Sequence, residues 1–78
     1  MSAGYGLQIV KRNRKANIKH VGVRLGRVCI RRDYSVSEVM AALKVSRQTV
    51  YNWFSGVSAP QERHVVAIDK LLTKLKRT

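Results

Sequence analysis

Four polar side chains within one short stretch have ends that suit the edges of nucleic-acid bases. Arg47 can donate two parallel hydrogen bonds to guanine, and Gln48 and Asn52 can each pair with adenine in the same bidentate manner. Tyr51 lies between them in the chain and can contact a phosphate or a thymine methyl group. Hydroxyl groups that could bind the sugar-phosphate backbone lie on Ser37, Ser46 and Thr49. This stretch therefore predicts a site that reads bases.

Other reactive side chains are few and too scattered for catalysis or metal binding. His20, His64 and Cys29 lack the spacing of a metal site, and we expect the histidines at the surface. The chain has only four acidic residues, and it shows no paired carboxylates, no nucleophile–base pair and no glycine-rich phosphate loop. The sequence predicts neither an enzyme nor a cofactor, and it predicts that Cys29 is an inert core thiol.

The balance of charge indicates a polyanionic partner. The 78 residues include 16 Lys and Arg against four Asp and Glu, which gives a formal charge of +12. A compact domain with this charge repels itself unless a polyanion binds it. The densest run of cations contains no acid, and we expect its members to contact phosphates: Lys11, Arg12, Arg14, Lys15 and Lys19.

Length and composition exclude several classes of protein. The length of 78 residues allows one small domain and leaves no room for a second lobe, and a hydrophobic content of 45% is ordinary for a globular domain. A single cysteine cannot form an internal disulfide, the apolar runs are too short to cross a bilayer, and the start lacks the pattern of a signal peptide. We expect a cytoplasmic protein that does not contact membranes.

The pattern of apolar residues predicts an all-α fold, a small bundle of four to five helices. Residues 1–16 are predicted to be a flexible basic arm, and residues 17–78 the folded domain. Apolar residues at helical spacing predict a first helix over about 17–32, in which Gly22 and Gly26 could allow a neighbouring helix to approach closely. A last helix is expected from about Pro60, where proline suits the first turn.

Two short helices joined by a tight turn are predicted between these elements. Ser35 and Glu38 have the spacing of a capping box for the first of the pair. Ser46 can cap the second, which runs over 47–54 with Trp53 facing inward, and Gly56 suits the left-handed position that closes this helix. Phe54 is expected to be partly exposed and to pack on a partner or on the arm. This arrangement is a helix-turn-helix, in which the second helix presents its N-terminal side chains to the major groove.

The residues SRQTVYNWFSG resemble the recognition helix of the lambda-repressor-like, or Cro/xenobiotic-response-element-type, family of phage and bacterial regulators. The resemblance extends from about His20 to Leu75. The chain departs from the family at Met40, where a small alanine is usual, and at Lys44, where the turn usually has glycine. Lys44 must therefore adopt a backbone conformation that glycine accepts more easily. The resemblance implies a transcriptional regulator that binds a palindromic operator as a homodimer, in a bacterial or phage-infected cell.

Two other functions fit parts of the same sequence. A packaging or RNA-binding protein would use the charge without reading bases, and an antitoxin-like module would dock on an acidic protein. The arm gives a further expectation, because the arms of homeodomains lie in the minor groove next to their recognition helix. We expect residues 11–15 to do the same, and we expect that removing residues 1–16 leaves the fold intact.

Overall fold

The computed structural model describes residues 5–77, which form five α-helices and no β-strand. The all-α prediction is confirmed. Each later label refers to these bounds: α1 Leu7–Lys15, α2 Val21–Arg31, α3 Val36–Leu43, α4 Arg47–Phe54 and α5 Glu62–Lys76.

Helix α2 is the centre of the fold and packs against α1, α4 and α5. Its apolar face is the one that the sequence pattern predicts, and Leu25 and Cys29 on that face are wholly buried. Val39 of α3, Val50 of α4 and Ile68 of α5 are wholly buried in the same core. Every helix other than α1 thus contributes at least one side chain that has no contact with solvent.

The glycines of α2 allow α4 to approach closely, as the sequence suggested. A Cβ atom on Gly22 would lie 2.8 Å from the Cβ of Trp53, and one on Gly26 would lie 2.6 Å from Cγ of Phe54. Any larger residue would push α4 outward. The two glycines therefore fix how deeply the inner face of α4 is seated.

Helices α3 and α4 form the predicted pair, and local interactions define both ends of the link between them. The capping box of α3 is confirmed: Glu38 N donates to Ser35 Oγ over 3.1 Å, and Ser35 N donates to Glu38 Oε2 over 3.2 Å. Lys44 ends α3 in the left-handed region, with φ 56° and ψ 48°. The turn therefore keeps a glycine-type conformation without a glycine.

Helix α5 begins slightly later than the sequence suggested. Gln61 is its N-cap, so Pro60 lies just before the helix rather than in its first turn. Leu71, Leu72 and Leu75 are buried within the core, while Val66 on the same helix is 55% exposed. The apolar strip of this helix is thus used almost entirely inside the molecule.

The prediction of a flexible arm is wrong for the described part of residues 1–16. Residues 7–15 form α1, which packs against α2 and α4. The reason is a buried face that the basic residues obscure: Tyr5, Ile9 and Asn13 are all buried. Residues 1–4 of the predicted arm lie outside the described residues.

One polar side chain, Asn13, connects three helices. Its Nδ2 donates to the carbonyl oxygen of Val23 over 3.0 Å and to that of Phe54 over 2.7 Å. Phe54 lies at the end of α4, where helical carbonyls have no partner within the helix. The buried amide of α1 thus supplies the hydrogen bond that the end of α4 needs.

Phe54 is wholly buried, so the expected partial exposure is wrong. Its ring lies 5.8 Å from that of Tyr5, measured between centroids. Of the two packing partners considered from the sequence, the N-terminal segment is therefore the one that the structure provides. The Tyr5 hydroxyl donates to the carbonyl oxygen of Tyr34 over 2.6 Å, which anchors the start of α1 beside the α2–α3 link.

Candidate nucleic-acid interface

Helix α4 has well-formed caps at both ends, which fix where its outward side chains lie. Thr49 N donates to Ser46 Oγ over 3.2 Å at the N-terminus. At the C-terminus Gly56 adopts φ 78°, and Val57 N donates to the carbonyl oxygen of Asn52 over 2.9 Å. This is the Schellman arrangement, with glycine at the position predicted from the sequence.

The inner face of α4 is anchored by three buried side chains. Val50 and Phe54 are wholly buried, and Trp53 is only 4% exposed, so the prediction that Trp53 belongs to the core is confirmed. The Trp53 ring lies 5.2 Å from the imidazole of His64. His64 is half-buried, not a surface residue as expected, because it covers one side of this ring. The helix is therefore held along its whole length.

The outer face of α4 carries the four predicted base-contact side chains in two hydrogen-bonded pairs. Gln48 Nε2 donates to Asn52 Oδ1 over 3.0 Å, and Arg47 donates through a terminal guanidinium nitrogen to the Tyr51 hydroxyl over 3.3 Å. Arg47 and Gln48 are exposed, whereas Tyr51 and Asn52 are half-buried. Each pair joins residues one helical turn apart, so both pairs lie on the helix surface.

The amide pair keeps one acceptor and one donor unused. Gln48 Nε2 is used by Asn52 Oδ1, which leaves Gln48 Oε1 free to accept and Asn52 Nδ2 free to donate. Adenine presents the complementary donor and acceptor, N6 and N7, in the major groove. The unused acceptor and donor of the pair are therefore the two kinds of group that adenine requires.

The three hydroxyls predicted to bind the backbone differ in their availability. The hydroxyls of Ser46 and Thr49 are hydrogen-bonded to each other over 2.9 Å. They hold the N-terminus of α4 before any ligand arrives, so their first role is capping. Ser37 is exposed in the first turn of α3, and Ser35 is the residue that caps that helix.

Helix α1 forms the second wall of a cleft along α4. The cleft has a volume of about 330 Å³, and Gln8 and Arg12 line it together with Gln48, Tyr51 and Asn52. Gln8 was missed in the sequence because the segment around it was taken for flexible chain. Its spacing from Arg12, one helical turn, is the signal that could have identified it.

The predicted phosphate-binding cations are divided among different surfaces. Arg12 lines the cleft beside α4, whereas Arg14 lines a hollow on the other side of α1, together with Arg27. Lys11, Lys15 and Lys19 are exposed and line neither of these surfaces. Only one of the five therefore joins the base-contact candidates.

The buried thiol of Cys29 is expected to be unreactive at neutral pH. Burial raises the pKa of Cys29 to about 12, with the charge of Glu38 acting in the same direction and a hydrogen bond with Tyr5 opposing it. A thiol with so high a pKa stays protonated at neutral pH and is a poor nucleophile. Within residues 5–77 no group of three His, Cys, Asp or Glu side chains could hold a metal ion.

None of the helices in residues 5–77 has the length and apolar character needed to cross a bilayer. No protein-family model matches the chain, and no curated protein or solved structure was found to be similar to it. The lambda-repressor-like resemblance therefore stays a prediction that depends on the residues of the α3–α4 segment.

Proposed function

We propose that this protein is a sequence-specific DNA-binding transcriptional regulator that reads the major groove with α4. The observation that carries the proposal is the amide pair of Gln48 and Asn52, which lies on the outer face of a helix capped at both ends and anchored along its inner face. A bidentate contact of this kind discriminates against a wrong base by about 1–3 kcal/mol.

The two helices of the motif have different roles in this proposal. The major groove is about 12 Å wide and admits one helix, so α4 enters it while α3 crosses the backbone. Ser37 in the first turn of α3 and the backbone N–H groups at the start of α4 face phosphates, where the helix dipole favours negative charge. Arg47, at the start of α4, is placed to bind guanine or a neighbouring phosphate.

The ordered α1 changes how the basic N-terminal segment takes part. A helix packed beside α4 cannot extend into the minor groove as a free arm would. Instead, Gln8 and Arg12 offer donors along the cleft next to Gln48, and the cleft suits the sugar-phosphate strand that borders the major groove. Arg12 thus contacts a phosphate in this proposal, and Lys11 and Lys15 add charge on the exposed side of the same helix.

Two further parts of the proposal depend on how such motifs are used. Helix-turn-helix proteins bind paired half-sites about one helical turn apart, so we propose that a homodimer binds a palindromic operator. The protein would then act in the cytoplasm, on the DNA of a bacterial or phage-infected cell.

Selection of bound duplexes from a random-sequence pool tests the proposal directly. We expect enrichment of one sequence, with adenine at a position that Gln48→Ala no longer selects. Matched titrations on the enriched and a random duplex, over a range of salt, then separate base reading from charge. A pool that shows no enrichment despite strong binding would favour the packaging function instead.

A further inference from the structure

A second basic surface lies in a groove between α2 and α5. Arg24, Arg27, Arg31 and Lys76 line this groove, and Asp69 is the one acidic residue that lines it. Its volume is about 380 Å³. The groove therefore carries a clear excess of positive charge.

The groove lies on the side of α2 that faces away from α4. Gly22 and Gly26 contact Trp53 and Phe54 of α4. Arg24 follows Gly22 by two residues, which places it about 200° around the helix axis from that contact. A ligand in the groove and a duplex on α4 would consequently occupy opposite faces of the protein.

The cations of the groove are available to a ligand. Arg24, Arg31 and Lys76 are exposed, and they make no side-chain hydrogen bond or ion pair with another residue in the range 5–77. Arg27 is held in place, since its guanidinium donates to the carbonyl oxygens of Asn13 and Arg14 over 3.0 and 3.1 Å. The groove thus holds one fixed and three free cations against a single carboxylate, and the repulsion among these cations favours the binding of an anion.

The four cations that line the groove favour phosphates as its ligand. Its floor includes Val28 and Leu72, which are only 6% and 7% exposed, and Ile18, at 51%, is the exposed apolar side chain at its edge. The row from Arg24 to Arg31 extends about 10 Å along α2, which is enough to follow several phosphates of one DNA strand. Arg14 extends the row, because it shares a hollow with Arg27 and Arg31.

We propose that this groove binds the phosphate backbone of a second duplex, so that one protein molecule can hold two DNA segments. The proposal rests on the proposed function for the first duplex, which occupies α4. The second duplex is bound through charge alone, without preference for sequence.

A capture assay with the full chain tests this inference. A biotinylated duplex carrying the selected site is saturated with protein, and a fluorescent duplex that lacks the site is added at low salt. We expect the wild type to retain the fluorescent duplex and Arg24→Glu/Arg31→Glu to retain about tenfold less of it. Lys70→Glu/Lys74→Glu is the matched control: it makes the same change of charge at exposed positions of α5 that do not line the groove.

The outcomes of this assay distinguish a second duplex site from a bridging dimer and from an acidic protein partner. The proposal of a second duplex site is overturned if both double variants lose the fluorescent duplex equally or retain it equally. It is also overturned if the wild type retains no fluorescent duplex. A dimer that bridges through two α4 helices would instead prefer a second duplex that carries the site. Binding of polyglutamate in the groove, with no capture of DNA, would identify an acidic protein as the partner. Failure of the proposed function appears separately, as the absence of any selected site.

Discussion

Helices α1 and α4 lie side by side, but different interactions hold them in place. Helix α4 has a serine cap at one end and a glycine turn at the other, so both of its ends are defined by neighbouring residues in the chain. Helix α1 has no side-chain cap and no acid in its first turn. It is fixed by Tyr5 and Asn13, whose partners lie far along the chain. Interactions between neighbouring residues thus define both ends of α4, and contacts between distant residues hold α1 beside it.

Removal of residues 1–16 should lower the stability of the fold more than any single substitution. The deletion takes Tyr5 and Ile9 from the core, where burying such side chains contributes about 1.5–3 kcal/mol each, and it uncovers Phe54. We expect the cooperative thermal transition to be lost or greatly lowered, as measured by circular dichroism. Leu7→Ala, at a position 69% exposed, should leave the transition in place. A truncated protein that melts like the full chain would show that α1 is dispensable.

Trp53→Ala tests the inner anchor of α4. Trp53 is 4% exposed and contacts Gly22 and His64, so its loss leaves a large cavity. We expect the free energy of unfolding to fall by about 3–5 kcal/mol. Val66→Ala, on the exposed side of α5, should change it by less than about 0.5 kcal/mol. Denaturant titrations of both variants make the measurement, and equal effects would contradict the assignment of Trp53 to the core.

Asn13→Ala tests the side-chain hydrogen bond that joins α1 to the end of α4. The variant leaves the carbonyl oxygens of Val23 and Phe54 without their side-chain partner, at a cost of about 1–3 kcal/mol. Asn17→Ala is the matched control, since Asn17 is exposed and its side chain accepts only from the nearby Lys19 N–H. The stability of the two variants should differ accordingly. If the two variants have the same melting temperature, the hydrogen bonds of Asn13 do not stabilise the packing of α1 against α4.

The Cys29 thiol tests the packing of the core without any substitution. Burial raises its pKa from 9.0 to about 12, so the thiol favours the folded state fully below pH 9.0 and loses that contribution as pH rises towards 12. Burial also raises the pKa of Tyr5, which acts in the same direction, so we expect the melting temperature to fall on going from about pH 8 to about pH 11. At neutral pH a thiol reagent should modify Cys29 no faster than the protein unfolds. Rapid modification of the folded protein would show that the thiol is accessible.

The sequence predicted the parts of the fold that depend on neighbouring residues. The capping box at Ser35, the N-cap at Ser46 and the left-handed Gly56 all have short-range signals, and all three are present. The close approach at Gly22 was also foreseen, because glycines on an apolar helix face have few other uses. These features explain why the bounds of α4 could be predicted correctly.

The remaining features could not be read from short-range patterns. Helix α1 is crowded with cations, and its buried face depends on a tyrosine, an isoleucine and the amide of Asn13. An asparagine ordinarily indicates surface, and only the two carbonyls that meet it in the folded chain make its burial favourable. The place of Gln8 beside Gln48 follows from the same packing. The candidate site was therefore predicted on α4 and missed on α1.

The most direct test of the central claim is the ratio of specific to random-duplex affinity for the wild type and for Gln48→Ala. We expect the variant to lose about 1–3 kcal/mol of binding free energy on the selected duplex and to keep its affinity for random DNA. Lys11→Ala, which removes a charge from the exposed side of α1, should weaken both affinities alike. An equal loss of affinity for both duplexes in Gln48→Ala would contradict base reading by α4. It would show that the outer face of this helix contacts phosphates only.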